Sequence, residues 1–192
     1  MNKNKNLTSE NVFLLAIKKH RENNIKEAQN YYQEVLKINP NHVNAHNNLG
    51  VIFKDLGENQ KAKSCFEKAI KTNPNYADTH YNLGIVFKNL GEHQKAQDCY
   101  EKVIKLNPNH APAHNNLGAI FKNLGENQKA KSCFEKAIEI DPSYINAHNN
   151  LGAIFQELGE NQKAVSCFEK AIEIDPNYAD AYNNLGNVFD AL

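Results

Sequence analysis

The side chains best suited to metal or covalent chemistry stand at strict intervals. Cys65, Cys99, Cys133 and Cys167 form one series, and His46, His80, His114 and His148 another, each with members 34 residues apart. A tetrahedral zinc site needs four such ligands converging at about 2.0–2.3 Å from one ion. Members of one series lie a whole interval apart and cannot converge. Pairing the two series, for instance Cys65 with His80, gives two ligands where four are required. No metal or other cofactor is therefore expected, and the histidines should pack or hydrogen-bond. The same spacing argues against disulfides, because a regular array holds equivalent thiols apart. Reduced, partly buried thiols in a cytoplasmic compartment are the expectation. No nucleophile elbow, Walker loop or dinucleotide fingerprint occurs, and the glycines fall within or at the ends of helical patterns. The chain does not read as an enzyme.

The bulk numbers narrow the partners. Twenty-two basic and 22 acidic side chains balance over 192 residues, so no global field recruits nucleic acid or an anionic membrane. No apolar run reaches the roughly 18 residues that would span a bilayer, and the Lys/Asn-rich start lacks the apolar stretch of a secretory signal. The glycosylation match Asn6-Leu7-Thr8 would matter only in a secreted chain.

What positions these residues is a repeat. Gly50, Gly84, Gly118, Gly152 and Gly186 recur every 34 residues, as do Pro40, Pro74, Pro108, Pro142 and Pro176, and a period between 20 and 50 marks a solenoid or array. After an N-terminal extension, 1–8, the units are 9–42, 43–76, 77–110, 111–144 and 145–178, and 179–192 supplies the first helix of a sixth. Within 43–76, Ala45, Leu49, Ile52, Phe53 and Leu56 recur at spacings of three and four, an amphipathic helix. Gly57 stops it by accepting the left-handed backbone of a helix C-terminus. A second helix carries Ala62, Cys65, Phe66, Ala69 and Ile70 on one face, and Asn73-Pro74 ends it. Gly50 and Ala62 let the antiparallel helices approach while Phe53 and Phe66 fill the space beside them. Each hairpin keeps an apolar flank that only the next hairpin can bury.

The run Asn48-Leu49-Gly50, Phe53, Ala62, Phe66, Ala69 and Pro74 resembles the tetratricopeptide repeat, over residues 9 to 192. The resemblance implies an all-α fold, a right-handed α-solenoid of antiparallel helix-turn-helix hairpins that binds a protein or peptide in its concave groove. Two departures stand out. Histidine (His46, His80, His114, His148), with Tyr182 in the last copy, occupies a place where the family favours a bulky aromatic. The first unit reads Leu14-Leu15-Ala16 instead of Asn-Leu-Gly, as a divergent cap would. The paired asparagines are most similar to those of the arrays that deliver substrates to O-linked N-acetylglucosamine transferases.

In that family the first helices line the groove, which implies an asparagine ladder of Asn48, Asn82, Asn116, Asn150 and Asn184. An asparagine amide offers two donors and an acceptor, matching a peptide unit. With helices about 8–10 Å apart and an extended chain rising about 3.3 Å per residue, one rung meets roughly every third ligand residue. Asparagine can also simply bond between helices, and copying spreads any residue; but it costs roughly half a kcal/mol against alanine in a helix, which favours a use. Beside the ladder lie Asn47, Tyr81, Asn115, Asn149 and Asn183. Further along, Lys54, Lys88 and Lys122 give way to Gln156 and Asp190, so the groove is expected to run from basic to acidic. Unit 43–76 has five Lys against three acids, and unit 145–178 two Lys against five acids. Capture of a C-terminal carboxylate is not expected, since Asn44, Asn47, Asp78, Tyr81 and Pro112 stand where that mode places cations.

Three functional readings follow. The first is a non-catalytic scaffold that holds a protein or extended peptide, with no nucleic acid and no membrane. The second is the substrate-recruiting arm of a larger transferase. The third is a self-associating array, a homo-oligomer formed through a terminal helix 179–192 that leaves Leu185, Val188 and Phe189 uncovered.

Overall fold

The computed structural model describes residues 8–190. Residues 1–7 of the expected extension, with Asn6 and Leu7 of the glycosylation match, and residues 191–192 of the expected last helix lie outside them. Among the described residues there are eleven α-helices and no strand: α1 (Ser9–Arg21), α2 (Ile25–Ile38), α3 (Val43–Asp55), α4 (Asn59–Thr72), α5 (Ala77–Asn89), α6 (His93–Leu106), α7 (Ala111–Asn123), α8 (Asn127–Ile140), α9 (Ile145–Glu157), α10 (Asn161–Ile174) and α11 (Ala179–Phe189). The chain divides into two compact units, Met1–Cys99 and Tyr100–Leu192. In the first, α1 pairs with α2 and α3 with α4; in the second, α7 pairs with α8, α9 with α10, and α11 packs on α10 and α9.

The turn inside each hairpin closes by one device. At Gly57, φ is +74°, and the Gly57 N–H donates to the Lys54 carbonyl at 3.0 Å while Glu58 N–H reaches back to the Phe53 carbonyl at 2.8 Å. These two bonds satisfy carbonyls that the end of the helix would leave orphaned. The first hairpin makes the same turn with Asn23, at φ 57°, and asparagine is among the few side chains that tolerate this region. Glu58, Glu126 and Glu160, which follow glycines, make no side-chain cap to the next helix but each pairs with a lysine three residues on, as Glu126 does with Lys129.

Where the two helices cross, a ring sits on a glycine. A Cβ added at Gly50, Gly118 or Gly152 would stand 2.7, 2.7 or 2.6 Å from the ring of Phe66, Phe134 or Phe168. Those rings are fully buried. The first hairpin uses Ala16 and Tyr32 at these places, both buried. A second aromatic column lies at the turns: within the first unit the Phe87 ring is flanked by Lys63 Nζ at 5.2 Å and Lys95 Nζ at 5.5 Å, and within the second unit Phe155 is flanked by Lys131 and Lys163 at 5.1 and 5.4 Å. One lysine of each pair comes from the preceding hairpin, so the contact fastens neighbours; each is of order 0.5–1 kcal/mol at such partly exposed sites.

The terminal helix corrects one expectation. Val188 is fully buried, because α11 lies against α9 and α10. Leu185 is half-buried, and Phe189 alone of the three is broadly open, 56 % exposed.

Glycine position 186 provides an internal control for the crossing, since nothing lies within 4 Å of a Cβ built there. Gly118→Ala is expected to destabilise the fold by roughly 1–3 kcal/mol through overpacking against Phe134, whereas Gly186→Ala should be neutral or stabilise by up to about 1 kcal/mol through helix propensity. Chemical denaturation followed by circular dichroism reads both.

Candidate functional site

The histidine series is structural in use. In each of four copies Nε2 donates to a proline carbonyl six residues earlier: His46 to Pro40 at 2.8 Å, His80 to Pro74 at 2.9 Å, His114 to Pro108 at 3.0 Å and His148 to Pro142 at 2.9 Å. Because a carbonyl only accepts, Nε2 carries the proton and the imidazole ties the first helix of a unit to the turn that leads into it. At His46 burial, with the nearby Lys68 and His42, holds the pKa below the usual histidine range, although the Pro40 bond opposes the shift. The cysteines are free thiols; Cys65 and Cys99 are buried and Cys133 and Cys167 half-buried. Burial pushes Cys65, Cys133 and Cys167 up to about 11 and Cys99 up to about 12. Such thiols are weak nucleophiles and poor metal ligands. Among the described residues no three of His, Cys, Asp or Glu gather to hold a metal ion.

The asparagines divide into two rows. Asn47, Asn115 and Asn149 are buried, at 6, 5 and 9 % exposure, and so present little surface to a ligand. Their amides act between units instead. In the second compact unit Asn150 Nδ2 donates to Asn115 Oδ1 at 2.9 Å, and Asn184 Nδ2 donates to Asn149 Oδ1 at 2.9 Å. The ladder row thus leans on the buried row of the preceding hairpin, and each buried acceptor is satisfied. Asn115 Nδ2 also lies 3.5 Å from Asn116 Oδ1. Asn116, Asn150 and Asn184 are half-buried, and Asn183 is exposed.

The first compact unit departs from this pattern. Thr79 stands where other copies have Ala45, Ala113, Ala147 and Ala181, and its buried hydroxyl donates to Asn47 Oδ1 at 2.9 Å. With that acceptor engaged, Asn82 Nδ2 turns to the Asp78 carbonyl of its own helix at 3.0 Å. Asn48 Nδ2 donates to the Tyr32 hydroxyl at 3.2 Å, which also lies 3.4 Å from His20 Nδ1. Ile17, His20, Arg21, Tyr32 and Asn48 line an open cavity of about 410 Å³. Sequence reasoning missed Thr79, Tyr32, His20 and Arg21. The break in the alanine column was the available signal for Thr79; the divergence of the first unit hid the others.

Of the basic positions, Lys54 pairs with Asp55 at 3.1 Å and Lys122 with Glu157 of the next hairpin at 3.3 Å. Lys88 is exposed and Tyr81 half-buried. The Lys122 pair places an acidic group beside a basic one within the second unit, so charge along the first helices alternates locally there.

Thr79→Val is expected to cost about 1–3 kcal/mol, because it strands the buried Asn47 acceptor. Thr79→Ala should cost less, since Asn82 can then swing to Asn47 as Asn150 does to Asn115; denaturation midpoints and the Asn82 side-chain amide resonance distinguish the two. At pH 8 the folded chain should react with a thiol alkylating reagent at least about a hundredfold more slowly than the unfolded chain, because so little thiolate is present.

Comparison with known proteins agrees with this architecture. The family model described as Tetratricopeptide repeat matches residues 43–76, 77–110 and 111–144, a second described as TPR repeat matches 19–57 and 154–192, and a further Tetratricopeptide repeat model matches 133–166. No curated protein matches the sequence. Among solved structures, a crystal structure of MamA is 31 % identical, with 85 % of this chain and 96 % of that chain covered and a TM-score of 0.78. MamA from Desulfovibrio magneticus RS-1, residue 41 to its end, is 24 % identical over 88 % of this chain and 96 % of that one, with a TM-score of 0.80. YrrB, described as a TPR protein with an unusual peptide-binding site, is 24 % identical over 93 % and 92 %, with a TM-score of 0.79. None of the helices in the described residues is long and apolar enough to cross a membrane. With helical hairpins closed by the same turn, joined by the same glycine-to-ring crossing and matched by these repeat models along most of its length, the chain belongs to the tetratricopeptide repeat family, an all-α solenoid of the protein-interaction scaffold type.

Proposed function

We propose that the chain is a non-catalytic scaffold of five repeats, 9–42, 43–76, 77–110, 111–144 and 145–178, and the first helix of a sixth, 179–192, which grips the backbone of an extended peptide with the asparagines of its first helices. The observation that carries this reading is the pair of 2.9 Å bonds from Asn150 to Asn115 and from Asn184 to Asn149. Each fixes a side-chain amide by one of its two N–H groups. The remaining N–H and the Oδ1 form the donor and acceptor pair that a peptide unit complements. An amide held in place loses less conformational freedom on binding than a free one, which favours affinity.

Unequal rungs support a role for the ladder in setting register. Asn48 sits beside the Tyr32 and Arg21 cavity, where a carbonyl or acidic group of the ligand meets a cation, while Asn82 is turned toward its own helix. Sharing a fold with YrrB, which is described as having a peptide-binding site, is consistent with the same kind of guest. Lys54, Lys88 and Lys122 then contribute at the edges of the ladder, with the paired Lys54 and Lys122 contributing less than the exposed Lys88.

A peptide library titrated by fluorescence anisotropy tests the reading. Replacing Asn116 and Asn150 together by alanine is expected to weaken the best binder by at least about tenfold while the circular dichroism spectrum keeps its helical form. Unchanged affinity in that variant would remove the ladder from the proposal.

A further inference from the structure

One cavity lies away from the asparagine rows, at the far end of the second hairpin. It measures about 660 Å³ and is lined by Leu36, Pro40, Asn41, His46, Lys68, Lys71 and Thr72. Among the described residues no carboxylate comes within ion-pair reach of Lys68 or Lys71, and none lines the cavity. His46, only 7 % exposed, forms part of the wall; its Nδ1 is buried without a hydrogen-bond partner and, with Nε2 carrying the proton, is an acceptor that gives an anion no hydrogen bond.

The chain supplies its own comparison. At the equivalent places α6 keeps both lysines, as Lys102 and Lys105, but has Leu106 in place of Thr72; in α8 and α10 the first lysine is kept as Lys136 and Lys170, but the second is replaced by Glu139 and Glu173. There the two side chains pair, at 2.6 Å in α8 and 2.9 Å in α10. The position of Thr72 is held there by Ile140 and Ile174, and Ile140 packs against the buried Ala111, Ala137 and Ala147. Threonine lacks the reach of isoleucine, and the Thr72 hydroxyl folds back to donate to the Lys68 carbonyl at 3.2 Å. In α4 the same site is therefore emptied of an apolar side chain and carries two cations in place of an ion pair.

We infer that the cavity at the C-terminal end of α4 is an oxyanion site, which takes a phosphate or carboxylate group between Lys68 and Lys71, with His46 a neutral wall that reports its occupancy. Two ammonium groups on one turn of helix repel each other modestly, and an anion between them relieves that repulsion. The anion can come as a free ion or on an acidic peptide segment, and both present the same oxygens to the lysines.

The test uses the full chain with two probes, inorganic phosphate and a short Asp/Glu peptide, followed by calorimetry and by the imidazole resonances of His46 and His148. Saturation is expected to move His46 and leave His148 in place. Lys71→Glu, which installs the ion pair already present in α8 and α10 and so should fold, is expected to lower affinity at least about tenfold. Thr72→Ile, which fills the cavity without changing charge, should lower it as well. Lys26→Glu makes the same charge change ten residues before Leu36 on α2, about 15 Å away along the helix, and should alter affinity less than about twofold. Binding of phosphate alone assigns the site to a small anion, and tighter binding of the peptide assigns it to a partner's acidic side chains; either upholds it. No response at His46 with either probe, or equal losses in Lys71→Glu and Lys26→Glu, overturns it.

Discussion

The contact on which the rest of the structure depends is the ring of Phe66, Phe134 or Phe168 lying on a backbone that has no Cβ. Interiors are packed too densely for that approach to relax around an added methyl, so the glycine sets how near the two helices of a hairpin can come. That separation in turn sets which side chains face the next hairpin. The buried Asn115 and Asn149 can act as acceptors for the following first helix only because the first helices are held at one repeated spacing.

Two further repeated bonds keep the first helices in register. One is the histidine to proline-carbonyl bond, which fixes the entry of α3, α5, α7 and α9; the other is the glycine turn, which fixes their exit. Between these ends the helix has little freedom to rotate, and an asparagine ladder needs that, because a rotation of one residue would exchange the half-buried row for the buried one. Lysines over the Phe87 and Phe155 rings add modest attraction between neighbours.

The hairpins, their turns and the glycine crossing were legible in the sequence, because each is encoded within a single repeat and copied. The division of labour between adjacent asparagines was not. Asn47 and Asn48 are successive on one helix, about 100° apart, and a period of 3.6 cannot say which of two neighbours faces the adjoining hairpin when both are the same residue type. The bond that decides it joins residues 35 apart, Asn150 to Asn115. Val188 was misplaced for a related reason, since its cover comes from α9 and α10 and not from a partner later in the chain. Thr79 and Thr72 are departures from the repeat, standing where the other copies have alanine and a large aliphatic residue, and each changes a contact that other copies make.

The most direct measurement of the ladder is a titration of the protein, labelled with nitrogen-15, with an extended peptide ligand, following the asparagine side-chain amide resonances. If the ladder grips backbone, the Nδ2 signals of Asn116, Asn150 and Asn184 shift and slow their exchange with water, while those of the buried Asn115 and Asn149 move little. Saturation of binding with the three ladder amides unmoved would contradict it.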